Sequence, residues 1–384
     1  MRNINNPLIE IDGKNSKKIK NRGKSFGYQI LGFGSGAAAG EAFVTATGGN
    51  AILTVGDYKT HVFTGPGTFC VSCAGTSGND VADYVVIAGG GGGGNFGGGG
   101  GGAGGFRMSN GLCLPSPTTS PLASGSTLPI SAQGYPITVG GGGTAGTGPC
   151  EAGRHAPLTD ARSGSQGSNA VFSSITSTGG GGGAGILTDP PDVGWAPSPM
   201  SSGGSGGGSK GSHEEGGSRN DPGQGMPAGA GNTPPVSPSQ GNPGGKGFDA
   251  GIASTNGGGG GGAGAAGQTT CTIRTGGNGG AGSYLADPFM GPTAPSYGTP
   301  GPVGSTRYFS GGAGGGTDGG GSCGTAGSPG VGGGGSGGRH PCHACRTAGT
   351  ANTGGGGGGG GKSPSPSSGA AGGSGIVMIR YKYQ

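Results

Sequence analysis

The residues of this chain that are best suited to chemistry are two closely spaced pairs of cysteines. Cys70 with Cys73 and Cys342 with Cys345 both have the Cys-x-x-Cys spacing of zinc ligands. If the pairs met in the fold, four thiolates could bind one zinc ion, with a neighbouring histidine as a substitute ligand. Disulfides or free buried thiols are the favoured alternative, since a long stretch of chain separates the pairs. No cofactor is predicted.

Two further motifs have the spacing of a nucleotide-binding or catalytic site without the surroundings that either needs. Residues 356–363 read G-x-x-x-x-G-K-S, yet Pro364 and Pro366 exclude the helix whose N-terminus would bind a phosphate. His213 and Glu214 lie in a glycine-serine loop that cannot hold catalytic geometry. We therefore expect no enzymatic activity, and we interpret these two residues as a solvated turn or as charges that face a partner.

Aromatic residues are scattered through loops that are rich in proline and serine. Such a ring either stacks on a sugar from an exposed position or covers the local packing, and Trp195, close to several prolines, illustrates both alternatives. The aromatic candidates for contact with a partner are Trp195, Tyr284, Phe289, Tyr297, Tyr308 and Phe309.

The first 24 residues are strongly basic. Their charges include the cluster Lys17, Lys18, Lys20, Arg22 and Lys24. They contain no aromatic side chain that could stack on a base, so we predict a solvated or anchoring arm and no nucleic-acid binding. No secretory signal or membrane-spanning stretch is recognisable, which predicts synthesis in a cytoplasm and no membrane insertion.

The composition rules out an ordinary globular domain, because 111 of the 384 residues are glycine and 28 are proline. Charge-driven disorder is not indicated either, since only 10% of residues are charged and the net charge is +5. Collagen is excluded because the glycines form solid runs. An unusual ordered structure and a low-complexity spacer remain.

The large apolar residues that could form a core concentrate near the two ends of the chain. Residues 50–73 alternate around tight turns as in a β-meander, whereas 83–88 and 376–383 are continuous apolar strands that need cover on both faces. We predict that the two ends meet in one sheet. The predicted domains are a basic arm (1–49), a β-module (50–88 with 376–384) and a glycine-rich insertion (89–375).

Blocks of four to eight glycines recur through the insertion between loops of other composition. Isolated glycine runs are flexible linkers by default. The alternative is a left-handed extended helix with three residues per turn, which packs side by side where no Cβ intervenes. Because a linker would not need recurring blocks, we predict a mostly β and irregular fold with an inserted bundle of polyglycine II helices.

Several segments resemble one family of viral proteins. Residues 56–69, the strand 83–88 with its glycine run, residues 104–107 and residues 375–381 are similar to the glycine-rich domain of tail-fibre and other virion proteins of marine tailed bacteriophages. The resemblance also extends to adhesins in which a polyglycine sandwich displays receptor-binding loops.

The resemblance implies a virion structural protein, most simply a tail fibre or receptor-binding component for host attachment. Its partners would be other virion proteins of the tail or capsid and a host surface receptor, and copies of this chain could also associate. The alternatives are a capsid-decorating fibre or cement protein docked by the basic arm, and a secreted structural matrix protein, which the missing signal disfavours.

Overall fold

The structure, a computed structural model, describes most of the chain beyond residue 39. The described residues are 40–112, 120–147, 162–185, 201–211, 227–249, 255–285, 289, 297–302, 306–317, 324–339, 345–361 and 368–384. Predictions that lie outside them concern Trp195, His213, Glu214, Cys342, Lys17, Lys18, Lys20, Arg22 and Lys24. Within the described part, the protein is mostly β with almost no helix.

The strands of the described residues form four sheets. They are β1 (Thr45–Thr47), β2 (Ala51–Val55), β3 (Tyr58–Phe63), β4 (Gly67–Cys73), β5 (Val81–Ile87), β6 (Phe106–Ser109), β7 (Ala123–Ser124), β8 (Leu128–Pro129), β9 (Gly134–Thr138), β10 (Ala170–Phe172), β11 (Ile175–Ser177), β12 (Phe248–Asp249), β13 (Thr255–Asn256), β14 (Ser283–Leu285), β15 (Thr299–Pro300), β16 (Arg307–Phe309) and β17 (Ile376–Lys382).

Their order places β17 in the middle of the largest sheet. That sheet runs β2-β3-β17-β5-β6-β7, with β8 paired to β5. The second sheet runs β1-β4-β9-β10-β11, the third β14-β16-β15, and the fourth is the hairpin β12-β13. The largest sheet is therefore completed only when the last residues of the chain insert between strands from near its beginning.

The prediction that residues 376–383 share one sheet with strands from residues 50–88 is confirmed. β17 pairs antiparallel with both β3 and β5, with Ile376 opposite Ile87 and Val377 opposite Phe63. Its side chains alternate between two cores: Val377 packs in one and Ile376 in the other. β17 is thus buried on both faces, as its apolar sequence predicts.

The strands extend beyond the two predicted stretches. β1 lies within residues 1–49, which were predicted as a basic arm, and it pairs with β4. β6, β9, β10 and β11 come from residues 89–375, which were predicted as the glycine-rich insertion with strand-like segments at 135–139 and 171–176. Short strands between glycine segments thus supply part of the second sheet, which packs on one face of the largest sheet.

The first core lies between the two largest sheets and is rich in aromatic rings. Phe69 of β4 packs edge-on against Phe172 of β10, with ring centroids 6.2 Å apart, and lies 5.9 Å from Tyr381 of β17. Phe63 and Tyr135 belong to the same cluster. Few large side chains thus bury much apolar area, which suits a chain with so little other core material.

His61 connects this core to the turn that follows β1. Its Nδ1 lies 2.6 Å from the carbonyl oxygen of Gly48, which can only accept, so Nδ1 carries the proton. Its Nε2 then accepts from the hydroxyl of Tyr381 at 2.9 Å. Burial lowers the pKa of His61 and raises the pKa of Tyr381 to about 12. Both groups are therefore neutral at neutral pH.

We expect acid to destabilise the fold through His61. Because its pKa is lower in the folded chain than the ordinary 6.5, the unfolded chain binds more protons once pH falls below that value. Above a pH of about 6.5, His61 should have no effect on the free energy of unfolding. Below that pH, it should lower the free energy of unfolding by at most about 1.4 kcal/mol per pH unit, the value for one proton. Chemical denaturation at several pH values measures this slope.

His61→Gln is the control, since glutamine keeps a polar side chain that does not titrate. The other four histidines are the same in both proteins, so the difference between the two slopes belongs to His61. Equal slopes below neutral pH would contradict the prediction.

A buried ion pair joins β17 to β5 on the opposite face of the largest sheet. Arg380 Nη1 lies 3.4 Å from Asp83 Oδ2, and both side chains are almost completely buried. Asp83 also accepts from Ser109 Oγ at 2.8 Å and from the amide of Gly111 at 2.9 Å. Burial lowers the pKa of Arg380, and the carboxylate opposes that effect. The pair thus attaches the segment after β6 to the central strands.

Candidate functional site: the glycine array and its far end

The glycine segments lie side by side and bond to one another through their backbones. We call these segments the glycine array; its members are 89–94, 98–105, 139–147, 162–169, 178–185, 203–211, 227–231, 241–247, 257–262, 264–270, 275–282, 311–317, 324–331, 333–339, 346–350, 354–361 and 368–375. Almost none of these residues belongs to a helix or a named strand. Their amides are nevertheless bonded, which a free linker would not require.

The bonding of segment 89–94 repeats every three residues. The amides of Gly89, Gly90 and Gly91 donate to three different segments, and those of the next three residues return to the same segments in the same order. The acceptors are Ser168, Gly373 and Gly102, then Ser165, Ala370 and Gly99, at 2.9–3.0 Å.

The bonding of the carbonyl groups of this segment also repeats every three residues, toward three other segments. They accept from the amides of Gly180, Gly143 and Gly357, then from Gly183, Gly146 and Gly360. Segment 89–94 is therefore hydrogen-bonded to six others, and all of its residues are buried.

Four more segments are enclosed in this way: 98–105, 257–262, 311–317 and 354–361. They coincide with long glycine-rich runs of the sequence. A Cβ on Gly92 would overlap the carbonyl oxygen of Thr144, and one on Gly259 would overlap that of Asn278. Glycine is thus required at positions such as these because neighbouring backbones occupy the space of a side chain.

Segments at the periphery have a different sequence pattern, which the sequence interpretation missed. Gly140, Gly143 and Gly146 are buried, whereas most residues between them are exposed. Segment 324–331 repeats the pattern, with buried glycines at every third position. A Gly-x-x-Gly spacing therefore marks a segment that has one side against the array, and it could have been found from the sequence.

One end of the array adjoins the sheets. Gly89 follows β5, Gly105 precedes β6, and Gly375 precedes β17. At the opposite end, which we call the far end, segment 89–94 reverses through residues 95–97. The amide of Asn95 donates there to Arg162 at 3.0 Å. The sheets thus hold one end, and the far end carries reversals of the chain.

The aromatic candidates that the structure describes are mostly not exposed. Phe289 and Phe309 are completely buried in the second core, beside Val85 and Ile87. Rings without exposed surface cannot contact a receptor in the folded protein, so these two residues are corrected to core positions. Their place in a proline-rich part of the sequence was misleading.

The tyrosines of the same region lie near the sheets rather than at the far end. Tyr308 is buried and pairs with the half-buried Tyr284 across β14 and β16, with ring centroids 5.4 Å apart. Tyr297 packs against the second core. Of the described aromatic candidates, Tyr284 and Tyr297 thus keep partly exposed surface.

The described cysteines do not form the four-thiolate zinc site. Cys345 is disulfide-bonded, so it offers no thiolate. Cys70 and Cys73 are free, but three positions along an extended strand separate their Cα atoms by about 10 Å, too far for one disulfide. Both are exposed, as is the free Cys271, which corrects the prediction of buried thiols. Among the described residues, no group of three or more metal-binding side chains occurs.

Comparison with known proteins identifies the family of this chain. A protein-family model named glycine-rich domain matches residues 63–382. The chain therefore belongs to the glycine-rich domain family. No curated protein matches the sequence. In the described part of the chain, no helix has the length and apolar character to cross a membrane.

Proposed function

We propose that the members of the glycine array are polyglycine II helices, packed side by side as an insertion in the β-module. What supports this is the bonding of segment 89–94, which repeats with a period of three residues. An extended helix with three residues per turn has that period, and it directs successive amides in three directions. An extended strand would repeat every two residues.

We further propose that the protein is a non-enzymatic structural component of a virion, acting in a tail fibre that contacts a host receptor. The observation that carries this proposal is the enclosed array. Five segments are surrounded on all sides by backbone bonds, which gives a rigid support between the sheets and the far end. Rigid scaffolds that carry loops at one end are a common design for recognition.

In this proposal the protein has two kinds of partner. The basic residues 17–24 and the β-module bind other virion proteins, and the far end of the array faces the host receptor. The protein is made in the host cytoplasm and functions on the virion. Neither nucleic acid nor catalysis takes part.

Immuno-gold electron microscopy of intact virions tests the location. Antibodies against the purified chain should label the tail, and the purified chain should reduce adsorption of the same virions to their host. Label on the capsid would favour the capsid-decorating alternative, and absence from the particle would contradict a virion role altogether.

A further inference from the structure

One turn at the far end is fully described and unusually exposed. Residues 271–274 join two peripheral segments of the array, and every one of them is exposed. The turn belongs to the far end because Thr325 donates to the carbonyl of Arg274 at 2.8 Å, and Asn256 donates to that of Thr272 at 3.2 Å. Asn256 also accepts a hydrogen bond from Thr317, the last residue of the enclosed segment 311–317.

The turn is held firmly although its side chains face solvent. Thr270 Oγ1 donates across its base to the carbonyl of Thr275 at 2.6 Å, and the amide of Thr270 donates to Lys246 at 2.9 Å. Asn256 beneath it is completely buried. The exposed side chains are therefore presented from a fixed backbone, which lowers the entropy that binding must overcome.

Arg274 has a backbone conformation that glycine would adopt more easily. Its φ is +64°, in the left-handed region that an arginine rarely enters. Positive φ is not confined to the far end, since Phe96 has it at the neighbouring reversal and Ser173 has it between β10 and β11. What distinguishes Arg274 is that it combines this fixed conformation with an exposed, charged side chain.

The neighbouring Ile273 is 53% exposed. Among the described residues, only Ile52 is another large apolar side chain with such exposure. Ile52 lies on β2, an edge strand of the largest sheet, and is distant in sequence from the turn. Ile273 thus gives the far end an apolar contact directly beside a guanidinium group.

We propose that residues 271–274 form a contact element for a protein partner on the host surface, with Ile273 entering an apolar depression that carboxylates surround. The inference rests on the proposed function, because it takes the far end as the end that meets the host. The guanidinium group of Arg274 can donate two parallel hydrogen bonds to one carboxylate. The exposed Lys246 adds a second positive charge at the base of the turn.

A protein surface fits this chemistry better than a glycan does. Sugars pack their C–H faces on aromatic rings, and an isoleucine offers none. Buried apolar anchors with an adjacent arginine are instead typical of the energetic centre of protein interfaces. Carbohydrate binding is therefore treated as the competing outcome.

The test measures binding of the full-length purified chain to intact host cells. Ile273→Ser and Arg274→Glu should each weaken binding about tenfold or more, as expected for central interface residues. Ile52→Ser is the matched control, an equally exposed isoleucine outside the turn, and should bind as the original chain does. Arg274→Gly should keep or raise the thermal transition while it weakens binding, which separates contact from folding.

The same cells, treated beforehand with protease or with periodate, identify the partner. Protease should abolish binding, and periodate, which oxidises sugar diols, should not. If periodate alone abolishes binding, or if both turn variants bind as the original chain does, the contact element is wrong while the adhesive function stands. If the unmodified chain does not bind host cells at all, the adhesive function fails and this inference fails with it.

Discussion

Gly92→Ala should strongly destabilise the glycine array, although it adds a single methyl group. Gly92 lies in an enclosed segment, where a Cβ would overlap the carbonyl oxygen of Thr144. The overlapped atom is backbone and is tied into its own hydrogen bonds, so it cannot turn away as a flexible side chain would. We expect a loss of more than about 4 kcal/mol, at the extreme of single substitutions. Chemical denaturation of the two proteins measures the difference.

Gly141→Ala is the matched control, since Gly141 lies in a peripheral segment and nothing occupies the space within 4 Å of its Cβ position. This change should be neutral or stabilising by up to about 1 kcal/mol, because alanine restricts the unfolded chain more than glycine does. Equal effects of the two substitutions would contradict the enclosed packing. Rapid amide exchange throughout residues 89–94 would do so independently.

Removal of residues 376–384 should abolish the cooperative thermal transition of the whole domain. β17 is the strand between β3 and β5, so the deletion leaves two exposed edges and opens both cores. It removes Ile376, Met378 and Ile379, which are completely buried. Each such side chain contributes about 1.5–3 kcal/mol, and a domain has only about 5–15 kcal/mol in total. Circular dichroism and calorimetry follow the transition.

Deletion of Tyr383 and Gln384 alone is the control for this truncation. Both residues follow β17. Their deletion removes the hydrogen bond from the amide of Tyr383 to the carbonyl of Asp57, and the tyrosine ring that lies 4.4 Å from Lys59 Nζ. The shorter deletion should lower the melting temperature by a few degrees at most. If the longer one keeps the original transition, the closing strand is not essential to the fold.

The central strands could be predicted from sequence because they are apolar on both faces. Residues 84–88 and 376–379 are continuously apolar, and a sheet covered on both sides accommodates such runs. β9, β10 and β11 are indicated in the sequence by the strand-like segments 135–139 and 171–176, but their pairing could not be predicted in the same way. β10 and β11 are only three residues long, so their pairing depends on the array that positions them.

The candidate site was only partly predictable for a similar reason. Recurring glycine blocks indicate close packing, but no local pattern says which segments are neighbours, because every partner is a backbone group. Phe289 was misjudged since burial there comes from distant strands, with Thr60 donating to its carbonyl at 2.9 Å. Arg274 could not be recognised at all, because its positive φ is a property of the folded turn.

The six-sided bonding of the enclosed segments has a mechanical consequence. A strand at the edge of a sheet peels away by breaking its bonds in sequence, so a modest pull suffices. Segment 89–94 has no such free edge, because its bonds point to neighbours in six directions. A load applied at the far end must therefore shear many bonds together, and the structure can transmit tension along its length to the sheets with little extension.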